Sequence, residues 1–351
     1  MERIKGIDTI RFVCALIVVL GHFGFPKPDL VASASNPILF AINGFIDNAF
    51  NGPAAVIVFF IISGFCIHYP FVGCKSVPLY PYYSRRIIRI CLPALIAMGV
   101  YSLVGLKLTV PHYGVFWSVI CELIYYLLYP LLLQVRNKLS WGKLILPSFV
   151  VYFMVCFTNL DQIAAAQNNY IDLGALTWII GLPCWLLGCW LAENYQLFSY
   201  TATSQIWILR AGIFFASVFL QVIKFHVHSP FASNIFTLNA FAFPVCWWLG
   251  LEIIYFKERI PSPILERAGR WSYSLYIIHQ TIPAMITLLG VAWLQGAGLK
   301  IVQLVVALAV SYVFFLVVEK PSHKLAKYVS RAVRRSSTAA APVRAVSNRV
   351  S

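Results

Sequence analysis

Residues 7–25 read IDTIRFVCALIVVLGHFGF, an apolar run that carries Asp8, Arg11 and His22. A membrane helix needs roughly 20 predominantly apolar residues, and this run has the length. Ionisable groups at such depth are expensive and face a bundle interior or a watery cavity. Arg11 and His22 are separated by almost three helical turns, which puts both on one face about 16 Å apart along the axis. Asp8, one turn before Arg11, shares that face. The stretch therefore predicts an inward polar stripe on the first of several membrane helices, with Asp8 as a structural partner for Arg11 near one interface and His22 near the other. The run exceeds the core of a signal peptide and no small-residue cleavage site follows, so it is expected to persist as a helix.

The remainder of the chain supports a membrane setting. Of 351 residues, 60% are hydrophobic and 11% charged, against about a quarter charged in soluble domains. Further apolar runs at 53–73, 88–106, 115–134, 143–160, 172–192, 205–223, 237–256, 273–295 and 300–318 bring the expected architecture to an all-α, polytopic protein of ten transmembrane helices. Basic residues crowd alternate connections and the C-terminal tail, whereas the other connections hold Lys27, Lys107, Lys224 and Lys300, one each. By the positive-inside rule both termini are expected in the cytoplasm. The net charge of +15 is thus a topology signal, and nucleic acid is excluded as a partner. Residues 1–325 form the expected membrane domain. Residues 326–351, small, polar and basic, read as a disordered cytoplasmic tail. The long outer connection 26–52 reads equally as a plain connector or a cap over a site. The cysteines sit mostly inside apolar runs without metal-ligand spacing and read as small buried hydrophobes, free of disulfides. No metal site is expected, and His226 with His228, two loop histidines, do not make one.

Other runs repeat the pattern of polar residues in apolar helices. FWSVICELIYYLLYP (116–130) sets Ser118, Glu122, Tyr126 and Pro130 at steps of four, on one face. Counted along its span, Glu122 falls level with His22, where a carboxylate would orient an imidazole; a packing bond to a tyrosine is the alternative. RWSYSLYIIHQTI (270–282) places Ser272, Tyr276 and His279 in a stripe near the inner side, where His279 is either structural or functional. In FFIISGFCIHYPF (59–71), Ser63 and Gly64 interrupt the apolar run, which suits close helix packing or room for a substrate chain. YSRRIIRI (83–90) sets Arg86 and Arg89 on one face, able to grip phosphates, although interfacial anchoring explains the same pair. VVEKPSHK (317–324) holds Glu319 at the cytoplasmic boundary, paired with those arginines or facing water.

Taken in order, KGIDTIRFVCALIVVLGH (5–22), with ten residues between Arg11 and His22, VFFIISGF (58–65), Arg86-x-x-Arg89, WSVICELIYYLLYP (117–130), WSYSLYIIH (271–279) and EKP (319–321) resemble the acyltransferase-3 family of membrane acyltransferases. The likeness spans nearly the whole chain. One departure is Leu123, where the family usually has a second acid. The resemblance implies transfer of an acyl group, often acetyl, from a CoA-type donor to a sugar hydroxyl of a cell-envelope polysaccharide or lipid-linked glycan, in a bacterial inner membrane. It implies that His22 is the catalytic base, that Arg11 supports it, and that Arg86 and Arg89 meet the donor. Acetyl-CoA or another acyl-CoA would be a co-substrate, with no permanently bound cofactor. No hydrolase-like domain follows the last span, which implies a stand-alone transferase, with polysaccharide-synthesis proteins as possible partners.

The expected chemistry is general-base O-acylation, with neutral His22 taking the hydroxyl proton, Glu122 orienting the imidazole, and Arg11 or backbone groups stabilising the oxyanion. Ser63, Tyr126 and His279 would line the donor's path. That path is long, since His22 at the outer end and Arg86 and Arg89 at the inner end are expected roughly 25 Å apart. The alternative is a ten-helix transporter of a glycan intermediate or anion, using Arg11, His22 and Glu122 as a binding or relay set. Such carriers often show repeat symmetry and matched broken helices, and the sequence shows neither. A third reading is a non-catalytic partner of a polysaccharide synthase.

Overall fold

The computed structural model describes residues 4–27, 36–107, 114–165, 173–227, 229–290 and 294–339, with side chains of the last stretch described to residue 332. No strand occurs among them. The helices are α1 (Ile7–Phe23), α2 (Pro37–Asn48), α3 (Gly52–His68), α4 (Leu79–Leu103), α5 (Phe116–Arg136), α6 (Gly142–Thr158), α7 (Leu160–Ala165), α8 (Thr177–Asn194), α9 (Thr203–His226), α10 (Asn234–Glu258), α11 (Pro263–Gly269), α12 (Ser272–Ile278), α13 (Thr281–Leu288), α14 (Gly296–Phe314) and α15 (Lys320–Ala339). Among the described residues, seven helical stretches are long and apolar enough to cross a membrane. They are α2 with α3, α4, α5, α8, α9, α10, and α14 with α15. α1 and α6 are 17 residues each.

α3 is the central helix, buried over most of its length. It meets α8 backbone to backbone: a Cβ added at Gly64 would lie 2.0 Å from the Trp185 carbonyl oxygen, and one at Gly188 would lie 1.9 Å from that of Ile61. Small residues are what allow such an approach, so Gly64 packs as its sequence setting implies. At the end of the bundle that carries the basic connections, α3, α5 and α8 are tied by one partly buried network. His68 Nε2 lies 2.8 Å from Glu193 Oε1, His68 Nδ1 lies 2.9 Å from the Tyr129 hydroxyl, and Arg136 Nη2 donates to Glu193 Oε2 at 2.5 Å. On the opposite flank, Arg210 of α9 donates to Glu252 of α10 from Nε at 2.6 Å and from Nη2 at 2.9 Å. Glu252 is fully buried, so this fork-to-fork bond supplies the partner that a buried charge requires.

α1 begins against an unusual cap. Its first amides would be orphans, and Glu266 of α11 reaches across to accept from the amides of Gly6 (2.9 Å) and Thr9 (3.2 Å) and from the Thr9 hydroxyl (3.0 Å). A carboxylate also suits the positive end of a helix. α11 passes so close to α1 that a Cβ on Gly269 would sit 2.0 Å from the Asp8 carbonyl oxygen.

The expected ninth span, 273–295, is not one helix. It breaks into α12 and α13 at His279 and Gln280. The cause is Pro283, which has no N–H to give to the His279 carbonyl four residues back and whose ring crowds it. Ile282 N takes that carbonyl instead, at 3.1 Å. Two further expectations change. Part of the connection 26–52 is helical: Asn36 caps α2 by accepting from the Ile38 amide, and Pro37 fills its first position, both favoured at helix starts. Within the expected tail 326–351, α15 continues to Ala339, held along α4 by bonds from Ser322 to the Ile88 carbonyl (2.8 Å) and from Ser330 to the Pro81 carbonyl (3.1 Å). Residues 340–351, part of the outer connection (28–35) and His228 lie outside the described residues.

Candidate active site

α1, α3, α4, α5 and α12 enclose, with the residues around Glu319, a cavity of about 260 Å³. The face of α5 that carries Ser118, Glu122 and Tyr126 lines it, as their four-residue spacing implies. Across from them stands Ser63 of α3, whose hydroxyl lies 2.5 Å from Glu122 Oε1 and 2.8 Å from the Tyr126 hydroxyl. Tyr126 also donates to Glu122, and Trp185 Nε1 donates to Ser63 at 3.3 Å.

Three guanidinium groups share this cavity. Arg86 lies over the Tyr126 ring, 5.8 Å from its centroid, an arrangement in which the ring face attracts the cation. Arg89 Nε donates to His323 Nε2 at 3.1 Å. Arg11 Nη1 is 3.9 Å from Asp8 Oδ1. Glu319 does not bond to the arginines: its Oε2 accepts from the Ser274 amide (3.2 Å) and hydroxyl (2.5 Å), and its Oε1 lies 3.5 Å from His323 Nε2. It ends a single π-helical turn, Phe315–Glu319, a distortion frequent at functional sites. With Asp8 beside Arg11, Arg86 and Arg89 are the two guanidinium groups of the cavity in no ion pair among the described residues, a setting that draws anions.

His22 and His279 are elsewhere. Phe59 and Tyr276, with ring centroids 5.7 Å apart, close the cavity on one side, and the Tyr276 hydroxyl is 2.7 Å from that of Ser118. The His279 ring follows, 6.4 Å from that of Tyr276, and His279 Nε2 lies 3.2 Å from His22 Nδ1. The network assigns the hydrogens. His279 Nδ1 faces the carbonyl oxygens of Leu275 (3.1 Å) and Tyr276 (2.9 Å), which can only accept, so a neutral His279 carries its hydrogen on Nδ1 and accepts at Nε2. His22 Nδ1 faces the Val18 carbonyl at 2.9 Å as well as His279, so it too carries the hydrogen. The lone pair of a neutral His22 is then on Nε2, the atom free to take a proton.

A family profile described as an acyltransferase domain matches residues 4–319. The chain belongs to the acyltransferase-3 family. No curated protein and no solved structure matches it. Membership in this acyltransferase family, together with the apolar helices, makes the protein a multi-pass membrane acyltransferase.

Within the acyltransferase, the residues singled out in the sequence divide into two groups. Arg11, Ser63, Arg86, Arg89, Glu122, Tyr126 and Glu319 line one cavity, while His22 and His279 form a separate pair. Two expectations are thereby corrected. Glu122 does not orient His22: it bonds to Ser63 and Tyr126, and the partner of His22 is His279. His279 does not stay at the end of α1 that holds Asp8, because the chain runs beside α1 from Gly269, against Asp8, through α12 to His279, against His22. Arg11 shares the cavity of Arg86 and Arg89, and His22 is about 16 Å further along α1. Sequence reasoning missed His323, Ser274 and Cys66. His323 follows Glu319 at the four-residue step of a helix face, which is the signal that would have found it. All nine cysteines are free, and Cys66, expected as core, is exposed and lines the cavity.

Proposed function

We propose that this acyltransferase moves an acyl group, acetyl in the simplest case, from a cytoplasmic CoA thioester to a hydroxyl of a cell-envelope polysaccharide or lipid-linked glycan on the outer side. The basic end of the bundle then faces the cytoplasm, with both termini there and ten membrane passages in all, α12 and α13 together forming one. The observation that supports this reading is the convergence of Arg11, Arg86 and Arg89 on one cavity in a chain whose His22 presents a free Nε2 about three helical turns away.

In this reading Arg86 and Arg89 hold donor phosphates, and the polar ring of Ser63, Glu122 and Tyr126 bonds the amides of the pantetheine arm. The acyl carbonyl reaches His22 past the Phe59–Tyr276 pair, which has to swing aside. His22 Nε2 takes the proton of the sugar hydroxyl as its oxygen attacks the thioester carbonyl. The C–S bond then breaks, the acyl group stays on the sugar oxygen, and the sulfur leaves as thiolate and takes up the proton that His22 received.

The test uses purified protein in nanodiscs with radiolabelled acetyl-CoA, with and without glycan acceptor. CoA release and acceptor labelling are compared for wild type and His22→Ala. Full transfer by His22→Ala would remove His22 from the reaction, and solute flux without any acetyl-CoA turnover would establish a transporter in place of the enzyme.

A further inference from the structure

A second hollow, a cleft of about 460 Å³, lies between the start of α4, the connection before it and α15. Its volume is within the range of small-molecule sites, roughly 300–1,000 Å³. Four basic side chains surround it: Arg85 and Arg86 from α4, and Lys327 and Arg331 from α15. Lys327 and Arg331 are one helical step apart, where like charges repel. Among the described residues none of the four is in an ion pair. The floor is apolar and aromatic, with Phe71 and Tyr82 in edge-to-face contact at 6.0 Å between centroids. The bond from Ser330 to the Pro81 carbonyl holds α15 against this floor.

We propose that this cleft is the seat of the donor's nucleotide, binding the 3′-phosphate and diphosphate of an adenosine 3′,5′-bisphosphate group with its base against Phe71 and Tyr82. The inference rests on the acyl-CoA reading above. Four cations outside any ion pair, around an apolar and aromatic floor, match a ligand that joins several phosphate charges to one aromatic ring. Arg86 lines both the cleft and the buried cavity, so a diphosphate on Arg86 sends the thiol arm past Tyr126 towards Glu122 and Ser63. An anionic lipid headgroup offers the same phosphate chemistry, but it does not explain the aromatic floor or the sharing of Arg86 with the cavity.

The experiment measures binding of CoA, dephospho-CoA and adenosine 3′,5′-bisphosphate to the full chain in zwitterionic nanodiscs. The double variant Lys327→Ala with Arg331→Ala is expected to weaken CoA and adenosine 3′,5′-bisphosphate about tenfold or more, as loss of charged hydrogen bonds should. Dephospho-CoA, without the 3′-phosphate, is expected to lose much less. Equal CoA affinity in variant and wild type, with wild-type acetyl-CoA turnover intact, would overturn the cleft assignment and leave the enzyme reading standing. Absence of CoA binding and turnover in the wild type would bring down both. If the double variant lost only its response to anionic lipid added to the nanodiscs, the cleft would be a headgroup site and the proposal would fail. On wild-type protein, an azido-adenine CoA analogue is expected to label residues 70–82 or 327–331 on illumination, and labelling elsewhere would overturn the proposal independently of any variant.

Discussion

His279 Nε2 lies 3.2 Å from His22 Nδ1 and shares with the Val18 carbonyl, 2.9 Å away, the one hydrogen that nitrogen carries, so an imidazole stands as acceptor where a carboxylate would ordinarily be sought. The acceptor is itself locked, because its own Nδ1 hydrogen is held by the Leu275 and Tyr276 carbonyls. Its place at the break between α12 and α13 depends on Pro283.

His279 is therefore a positioning residue. His279→Ala is expected to lower kcat for acyl transfer by roughly 10²-fold, the scale on which small misplacement acts, while KM for acetyl-CoA stays nearly constant because the donor cavity is untouched. Steady-state kinetics on protein matched for melting temperature would check this. A rise in KM together with a fall in stability would mean that His279 only packs.

How much of this was legible in the sequence depended on whether one helix or two were needed. The stripe of Asp8, Arg11 and His22 and the face of Ser118, Glu122 and Tyr126 follow from the 3.6-residue period of single helices. Pairing Glu122 with His22 compared depths along two helices, which is valid only when their ends are level. The structure instead sets Glu122 beside Ser63, a residue far along α3 from its start. The pairing of His22 with His279 required knowing that Pro283 breaks a run whose composition reads as continuous. His323 lay within the expected membrane domain but in a basic, polar stretch at its edge, where only Glu319 stood out until Ser322 and Ala326 are seen buried against the bundle.

The contact between α3 and α8 gives a prediction about the fold. A methyl group at Gly64 would lie 2.0 Å from the Trp185 carbonyl oxygen and at Gly188 1.9 Å from that of Ile61, backbone atoms that cannot rotate away. Gly64→Ala or Gly188→Ala should cost about 3 kcal/mol or more, at the upper end of single substitutions. Gly99, which has nothing within 4 Å of an added Cβ, serves as control: Gly99→Ala should leave the yield of monodisperse protein and the melting temperature unchanged.

For the donor grip, the double variant Arg86→Ala with Arg89→Ala is expected to raise KM for acetyl-CoA at least about tenfold, consistent with loss of charged hydrogen bonds to phosphate. Membrane insertion should persist, because Arg85 and Lys75 still mark that end. Insertion assayed by fractionation, alongside kinetics, separates the two roles: loss of insertion with unchanged KM in the surviving protein would make the arginines anchors only.

The last prediction concerns the three oxygens of Ser63, Glu122 and Tyr126. The two hydroxyls bring two hydrogens to share among three close contacts, and Glu122 Oε1 is the acceptor common to both. Ser63→Ala removes one donor to that carboxylate and also leaves Trp185 Nε1, which gives its hydrogen to Ser63, without this acceptor in the buried core. A stranded donor costs about 1–3 kcal/mol, so the melting temperature should fall. Glu122→Gln behaves differently, since its amide oxygen still accepts from both hydroxyls and the fold should be nearly as stable. It does remove a negative charge facing Arg11, Arg86 and Arg89. Acyl transfer should therefore drop while CoA itself, an anion, binds as well as before or more tightly. Thermal unfolding and CoA titration on the two variants check these opposite patterns, and weaker CoA binding in Glu122→Gln would show that the carboxylate's bond to the pantetheine amides outweighs its repulsion of the donor's phosphates.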